Sequence, residues 1–312
     1  MLHDKAPWRR KLEQLALRWL TRGFAAAARL LPLRWLQGIG NAAGWLIYHL
    51  MSARRRLALD NIRRALGDRL TERQRRQAVL ASMRNMAKTM LELLKLPAMS
   101  EQELAELAPF QGEEHLRRAA RAGMGVIVVT PHFGNWEILA ARIAQLGYRV
   151  SVVARDANDP ATARIINRCR ESAGERVLER DQVREMLRTL RNGGLLGILP
   201  DQHGGEMGIW IDFMGHPAST VTGPASLAAH TGATIVPAFA RRTEDEHIDI
   251  YVLPPLQLPD TGDREGDVRR TTQMINDVFT QQIRAHPEQW LWMHKRWRTP
   301  PQDLDARQAV ES

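Results

Sequence analysis

Several common chemistries are excluded by what this chain lacks. A single cysteine in 312 residues, Cys169, rules out an intramolecular disulfide and a cysteine-rich zinc site, and it suits a reducing compartment. No Gly-x-Ser-x-Gly elbow occurs, so the common serine-hydrolase arrangement is missing. The opening MLHDKAPWRRKLEQLALRWL has no short apolar core followed by a small-residue cleavage site, so no secretory signal is expected. There is no internal repeat and no low-complexity segment. A hydrophobic content of 44% with 25% charged residues is that of a folded chain, and the length is enough to bury a substantial core.

Lysine is scarce too, with arginine supplying all but five of the 44 cations. Residues 1–100 hold 20 Lys+Arg against 6 Asp+Glu, a net of +14; the rest hold 24 against 29, a net of −5, which together give the overall +9. Genome composition can explain arginine over lysine, but not this segregation. A basic N-terminal third points to a polyanionic partner, either nucleic acid or an anionic membrane surface.

Apolar content separates the two. Trp35 to Ala53, WLQGIGNAAGWLIYHLMSA, contains no Lys, Arg, Asp or Glu and is bracketed by Arg34 and by Arg54, Arg55 and Arg56. Its length suits a membrane span, although Gln37, Asn41, His49 and three glycines also suit a helix lying in the interface. Trp8, Trp19, Trp35 and Trp45 supply the residue type favoured at headgroup depth. A nucleic-acid module has no use for such a stretch, so membrane is the expected partner and nucleic acid is not. GIGNAAG at 38–44 fails as a dinucleotide fingerprint, because its last gap is one residue too long and no strand precedes it.

Residues 54–95 read as two helices, one with the stripe Leu59, Ile62 and Leu66, the other with Val79, Met83, Met86, Met90 and Leu94. Thr71 is the expected N-cap of the second, and its methionines read as core packing. Beyond residue 100, short apolar runs at 125–130, 149–154, 195–199, 209–213, 233–240 and 247–253 predict strands. Helical stretches near 135–146, 160–173, 181–191, 221–230 and 268–285 alternate with several of them. The fold class expected is α/β, a mixed, largely parallel sheet flanked by helices, preceded by an N-terminal membrane-associated helical segment. The division expected is 1–99 for that basic segment, 100–301 for the α/β core and 302–312 for a frayed tail.

The chemistry concentrates in TPHFGNWE, 130–137. On one regular helix, residues five apart point about 140° away from each other, so His132 and Glu137 meet only if His132 lies in the turn before the helix. Pro131 and Gly134 permit such a turn, which would put His132 at the C-terminal edge of a strand, the ligand-binding edge of α/β sheets. A histidine oriented by a carboxylate is a general base; a structural histidine capped by a nearby acid is the other reading of the same residues. Without a serine elbow, the hydroxyl that His132 activates belongs to the substrate.

HFGNWE resembles the H-x4-D/E box of the glycerolipid and lysophospholipid acyltransferase superfamily. LRNGGLLGILPDQHGG (190–205), IDFMGHPASTVTGPASLAAHTGATIVPAF (211–239) and HPEQWLWMHKRWRTPP (286–301) look like successive blocks of the bacterial lipid A late (lauroyl and myristoyl) acyltransferases, in order over roughly residues 20–301. The resemblance implies transfer of an acyl chain from an acyl carrier protein thioester to a hydroxyl of an anionic glycolipid acceptor at the cytoplasmic face of the bacterial inner membrane. It needs no cofactor and no metal. It makes His132 the general base and Glu137 its orienting partner. Asp201, Arg170, Arg155 and Asn135 become substrate-binding candidates, Arg155 because an arginine often follows the second strand in this family. FMG at 213–215 and RTPP at 298–301 depart from the family's commoner residues, which leaves acceptor and acyl length open. A related branch acylates mannosylated inositol lipids, and a hydrolase would use the same box on water.

Three other clusters carry less. Asp201, His203 and Glu206 lie in a glycine-rich loop without a reinforcing ligand pair, so no metal is expected. Cys169, between Arg168 and Arg170, would have a lowered pKa if exposed, but reads as an incidental helix residue. His294 reads as packed or interfacial, with Arg296 and Arg298 extending a basic surface.

Overall fold

The computed structural model describes Gly23 and residues 26–154 and 159–298. Arg155, Trp8, Trp19 and the tail beyond 298 therefore lie outside the described residues.

After a helical stretch at 26–30 come α1 (Leu33–Leu50), α2 (Ser52–Leu66), α3 (Glu72–Lys95) and α4 (Glu101–Leu107). Thr71 caps α3 in a reciprocal box with Gln74, and Ser100 does the same for α4 with Glu103, each satisfying donors that the helix start leaves free. The helix α1 approaches α3 closely through Gly40 and Gly44: a Cβ at Gly44 would stand 2.4 Å from the Arg84 Cα. Leu36, Gln37, Gly40 and Gly44 face that contact, while Trp35, Ile39, Leu46 and Leu50 are exposed. The charge-free stretch is broken at Met51, between α1 and α2. No helix among the described residues is long and apolar enough to cross a membrane.

The remainder alternates strand and helix: β1 (Phe110–Gln111), α5 (Glu113–Arg121), β2 (Val126–Val129), α6 (Trp136–Gln145), β3 (Val150–Ala154), α7 (Pro160–Ser172), β4 (Arg176–Glu179), α8 (Val183–Arg191) and β5 (Leu195–Ile198). A hairpin of β6 (Ile209–Phe213) and β7 (His216–Thr220) follows, then α9 (Gly223–Thr231), β8 (Thr234–Arg242), β9 (Ile248–Val252) and α10 (Arg264–Ala285). The six expected strands and the five expected core helices are present. Added to them are the two-residue β1, the half-exposed β4 and the hairpin partner β7, whose Met214–Gly215 turn has positive φ at both residues, as a type I′ hairpin turn requires.

The main sheet has the order β1-β9-β8-β2-β5-β3-β4, parallel except where β9 runs against β8. Alternate residues of β2 feed two cores. Ile127 and Val129 pack with Leu227 of α9 and Ile275, Phe279 and Ile283 of α10. Val126 and Val128 pack with Leu116 of α5, Ile138 and Ile143 of α6 and Cys169 of α7. The early helices join these cores: Leu59, Ile62, Val79 and Met83 belong to the first and Leu93 to the second.

The middle of α3 is buried on more than its apolar side. Ser82, Asn85, Thr89 and Glu92 form a polar stripe at helical spacing and are all buried. Ser82 donates to the Trp290 carbonyl, Asn85 to that of Glu288 at 3.1 Å and Thr89 to that of Gly134 at 3.0 Å. Glu92 pairs with Arg242 and accepts from Gln37 at 3.0 Å and Asn135 at 2.7 Å. This helix thus grips the loop after β2, the end of β8 and the C-terminal block together.

Candidate active site

His132 lies three residues past Val129, and Asp201 three residues past Ile198. Val129 and Ile198 are registered neighbours on adjacent parallel strands, so both side chains emerge side by side at the C-terminal edge of the sheet. The Asp201 carboxylate accepts from His132 twice, from the backbone N–H at 2.8 Å (Oδ2) and from the ring Nδ1 at 2.7 Å (Oδ1). The Trp290 indole N–H adds a third bond at 2.8 Å to Oδ2. Burial alone would raise this carboxyl, but the His132 charge and these hydrogen bonds outweigh it and hold the group down to about 2.

The turn that presents His132 depends on Gly134. Its φ is +56° and a Cβ there would sit 1.7 Å from the Ala240 carbonyl oxygen, so only glycine fits. The loop is fixed further by Gly134 N–H to the Gln289 carbonyl, Asn135 N–H to that of Ala240 (both 2.9 Å) and Leu291 N–H to that of His132 at 3.0 Å.

As the spacing required, His132 precedes α6 and Glu137 occupies its first turn. Yet the two do not pair. Both oxygens of Glu137 take the fork of Arg170, at 2.7 and 2.9 Å, and the Trp136 indole adds 3.0 Å. The orienting carboxylate of His132 is Asp201, because neighbouring strand ends are closer than a turn and the helix it enters. Arg170 closes on Glu137 from the last turn of α7. Asn135 is wholly buried: its side chain caps α6 by accepting from Ile138 N–H at 3.0 Å and donates to Glu92. It is a structural cap, not a surface that meets substrate.

With Nδ1 donating to Asp201, Nε2 borders a cavity of about 280 Å³ and accepts a long bond of 3.4 Å from the Gln202 amide. The cavity runs between the sheet and α6, with Val128, Val152, Leu195, Leu139 and Ile143 in its walls and Glu137, Arg170 and Glu175 among its polar members. Such a site can take a proton from a hydroxyl held at the mouth while an apolar chain lies within.

Residues 4–299 match the family described as bacterial lipid A biosynthesis acyltransferase. The chain belongs to that family. It is similar to a phosphatidylinositol mannoside acyltransferase of Mycobacterium tuberculosis, 30% identical over 70% of this chain and 69% of the relative. The lipid A biosynthesis lauroyltransferase of Escherichia coli K12 is 25% identical over 93% and 94%, and the palmitoleoyltransferase of the same organism 22% over 87% of each.

In this acyltransferase the C-terminal block is an interior element. Trp290, Trp292 and Arg296 are among the largest fully buried side chains. Arg296 therefore does not extend a basic surface. It donates to the Ser219 carbonyl and to Thr220 Oγ1 at 2.6 Å and lies 4.6 Å over the Phe213 ring, and burial lowers its pKa to about 10. Only Arg298 of that pair is exposed. His294 is packed, accepting from the His203 N–H at 3.1 Å, and burial depresses its imidazole to about 4. Cys169 is buried and its thiol is pushed up, not down, by that burial. Gln202, Trp290 and the α3 stripe escaped the sequence reading. The strand-proline-polar punctuation shared by Thr130-Pro131-His132 and Leu199-Pro200-Asp201 was the available signal for pairing His132 with Asp201.

Proposed function

We propose that this family member moves a fatty acyl chain from an acyl carrier protein thioester to a hydroxyl of a lipid A precursor or a related glycolipid, with His132 as general base. The buried Asp201 carboxylate on His132 Nδ1, which leaves Nε2 facing an apolar cavity, carries the reading. An alcohol is a weak nucleophile at neutral pH, and removing its proton during attack contributes about 10²–10⁴-fold. The acceptor oxygen forms the ester bond as the C–S bond breaks. Its proton goes to Nε2 and from there to the departing thiolate, while Asp201 stabilises the transient imidazolium. One N–H of the Gln202 amide meets Nε2, and its second N–H is available to the thioester oxygen as charge develops there. Glu137 acts through Arg170, holding the cavity wall, rather than on the imidazole.

The acceptor has a second candidate. Similarity to the mycobacterial mannoside acyltransferase favours an inositol-linked glycolipid as the alternative. Purified protein supplied with acyl carrier protein thioester and either acceptor should form a new ester detectable by mass spectrometry. Thioester turnover at the same rate with no acceptor lipid would replace the transferase reading with a hydrolase.

The reaction is proposed for the cytoplasmic face of the inner membrane, and the α1 surface supports a membrane location. Trp35, Ile39, Leu46 and Leu50 are exposed apolar residues on one side of this helix, bracketed by Arg34 and Arg54–Arg56. This is the composition of an interfacial helix, with each well-placed cation adding about 1 kcal/mol on anionic lipid. Trp35→Asp with Ile39→Asp is expected to lose most co-sedimentation with phosphatidylglycerol vesicles at unchanged fold. Undiminished sedimentation would remove α1 from the docking surface.

A further inference from the structure

The sheet opens between β3 and β5. Their pairing stops at Val152 and Gly197, one residue short of the Val129–Ile198 pair with which β2 and β5 end. Past that point Val153, Leu199 and Gln202 line two cavities, the one beside His132 and a second of about 580 Å³. The second lies on the other face of the sheet, toward which Val153 and Ile198 point, while Val152 packs with the core beneath α6. Its walls are Met186 and Leu187 of α8 and the face of α9 on which Gly223, Ser226, Leu227 and His230 recur at helical spacing. Its size is that of a small-molecule site, about 300–1,000 Å³.

The two cavities differ in charge. Glu137 and Glu175 are among the residues lining the first, whereas among the described residues no carboxylate lines the second. Arg180, Arg264, His203 and His230 line it instead. Arg180 borders both cavities, is exposed, and has no hydrogen bond or ion pair among the described residues. Arg264 and Arg191 bring Nη2 to the two ring nitrogens of His230, at 3.3 and 3.2 Å. A neutral imidazole has one acceptor nitrogen, so it can satisfy only one of these donors. The start of α9 forms part of the same wall and has no side-chain cap, so its partial positive charge adds to the rim. Around an apolar interior the rim thus has more donors than acceptors, and an anion would balance it.

We infer that the second cavity is the acceptor's binding site, which takes a hydrocarbon chain of an anionic lipid between α8 and α9 and its phosphate on Arg180, Arg264 and His230. Arginine forks suit a phosphate. A donor chain in the first cavity and an acceptor in the second meet at the gap between β3 and β5, where Gln202 borders both and contacts His132 Nε2. Two substrates entering from opposite faces of one sheet do not compete for the same space. The donor belongs in the first cavity because a fatty acyl thioester is uncharged along its chain and needs no cation there. A carrier protein docked on these arginines would leave the apolar groove behind them unused. The inference rests on the reading of the protein as an acyltransferase.

Direct binding is measured first, by calorimetry on the full-length protein with monomeric dihexanoyl phosphatidic acid. Arg180→Ala, Arg264→Ala and Ser226→Phe, the last an exposed α9 position where the added ring would obstruct the groove, are each expected to weaken binding about tenfold, the scale of one charge-assisted hydrogen bond. Inorganic phosphate at equal concentration should not compete. Binding retained in all these variants, or abolished by inorganic phosphate, overturns the inference. Steady-state kinetics then separate the substrates. The same variants should raise KM for the acceptor lipid by a similar factor and leave KM for the acyl carrier protein thioester where it was. A rise confined to the thioester would assign the arginines to the carrier protein and overturn the inference. If the wild type transfers to no acceptor, the acyl-transfer reading fails, while the calorimetry still decides whether this cavity binds an anionic lipid.

Discussion

Asp201→Asn is expected to lower acyl transfer by about 10³–10⁴-fold, as the same exchange does in Ser-His-Asp hydrolases, while the fold survives. The geometry explains both halves of this outcome. Oδ2 accepts from the His132 backbone and from the Trp290 indole, and an asparagine oxygen placed there keeps both bonds. Its NH₂ then takes the position of Oδ1 and donates to Nδ1, where the carboxylate accepts. The imidazole is driven into the tautomer with its proton on Nε2, the atom proposed to receive the hydroxyl proton. Single-turnover assays alongside a thermal melt check this, with His132→Ala as the reference. The two substitutions should not add, because each disables the same base. A near-normal rate in Asp201→Asn with an unchanged melt would show that Asp201 does not set the protonation of His132.

Arg242→Leu is expected to cost about 3–5 kcal/mol of stability, the penalty for leaving one member of a buried pair unpaired. Arg242 and Glu92 are 2% and 0% exposed as side chains, so the remaining carboxylate finds no water. A loss of this size is a large fraction of the stability of an ordinary domain. The usual remedy, replacing both members by apolar residues, should recover only part of it here. Gln37 and Asn135 also donate to Glu92 and would lose their acceptor. Because Asn135 caps the helix that carries Glu137, transfer activity should fall with stability. Urea unfolding of the single and double variants, together with activity at a temperature where both are folded, checks the two effects separately. A single variant within about 1 kcal/mol of wild type would mean that the pair is not needed to hold α1, α3 and β8 together.

How much of this was legible before the structure depended on where each signal lived. The parallel sheet was, because β2, β3, β5 and β8 are apolar runs, buried or partly buried, long enough to declare themselves. The strands that went unread had no such run: β1 is two residues, and Arg176 and Glu179 of β4 are exposed. Placing His132 in the turn before α6 rested on Pro131 and Gly134 together with an assumed pairing with Glu137. Pairing it with Glu137 did not survive, because proximity along the chain competes with proximity across strands, and the strand register brings Asp201 closer. The polar stripe of α3 was invisible for another reason. Ser82, Asn85, Thr89 and Glu92 look like a solvent face until their partners, carbonyls and side chains distant in sequence, are in place. Arg296 was misplaced on the same ground, since an arginine among tryptophans reads as a surface cation unless the carbonyl of Ser219 and the ring of Phe213 are known to enclose it.

The fastening of His132 by residues 289–291 sets the order in which this catalyst comes into being. During synthesis His132 and Asp201 are made long before residues 289–291, so an emerging chain carries the pair without the bonds that fasten its loop and the second oxygen of Asp201. A nick that released residues 289–291 is expected to slacken the loop that presents His132 while leaving His132 and Asp201 chemically intact.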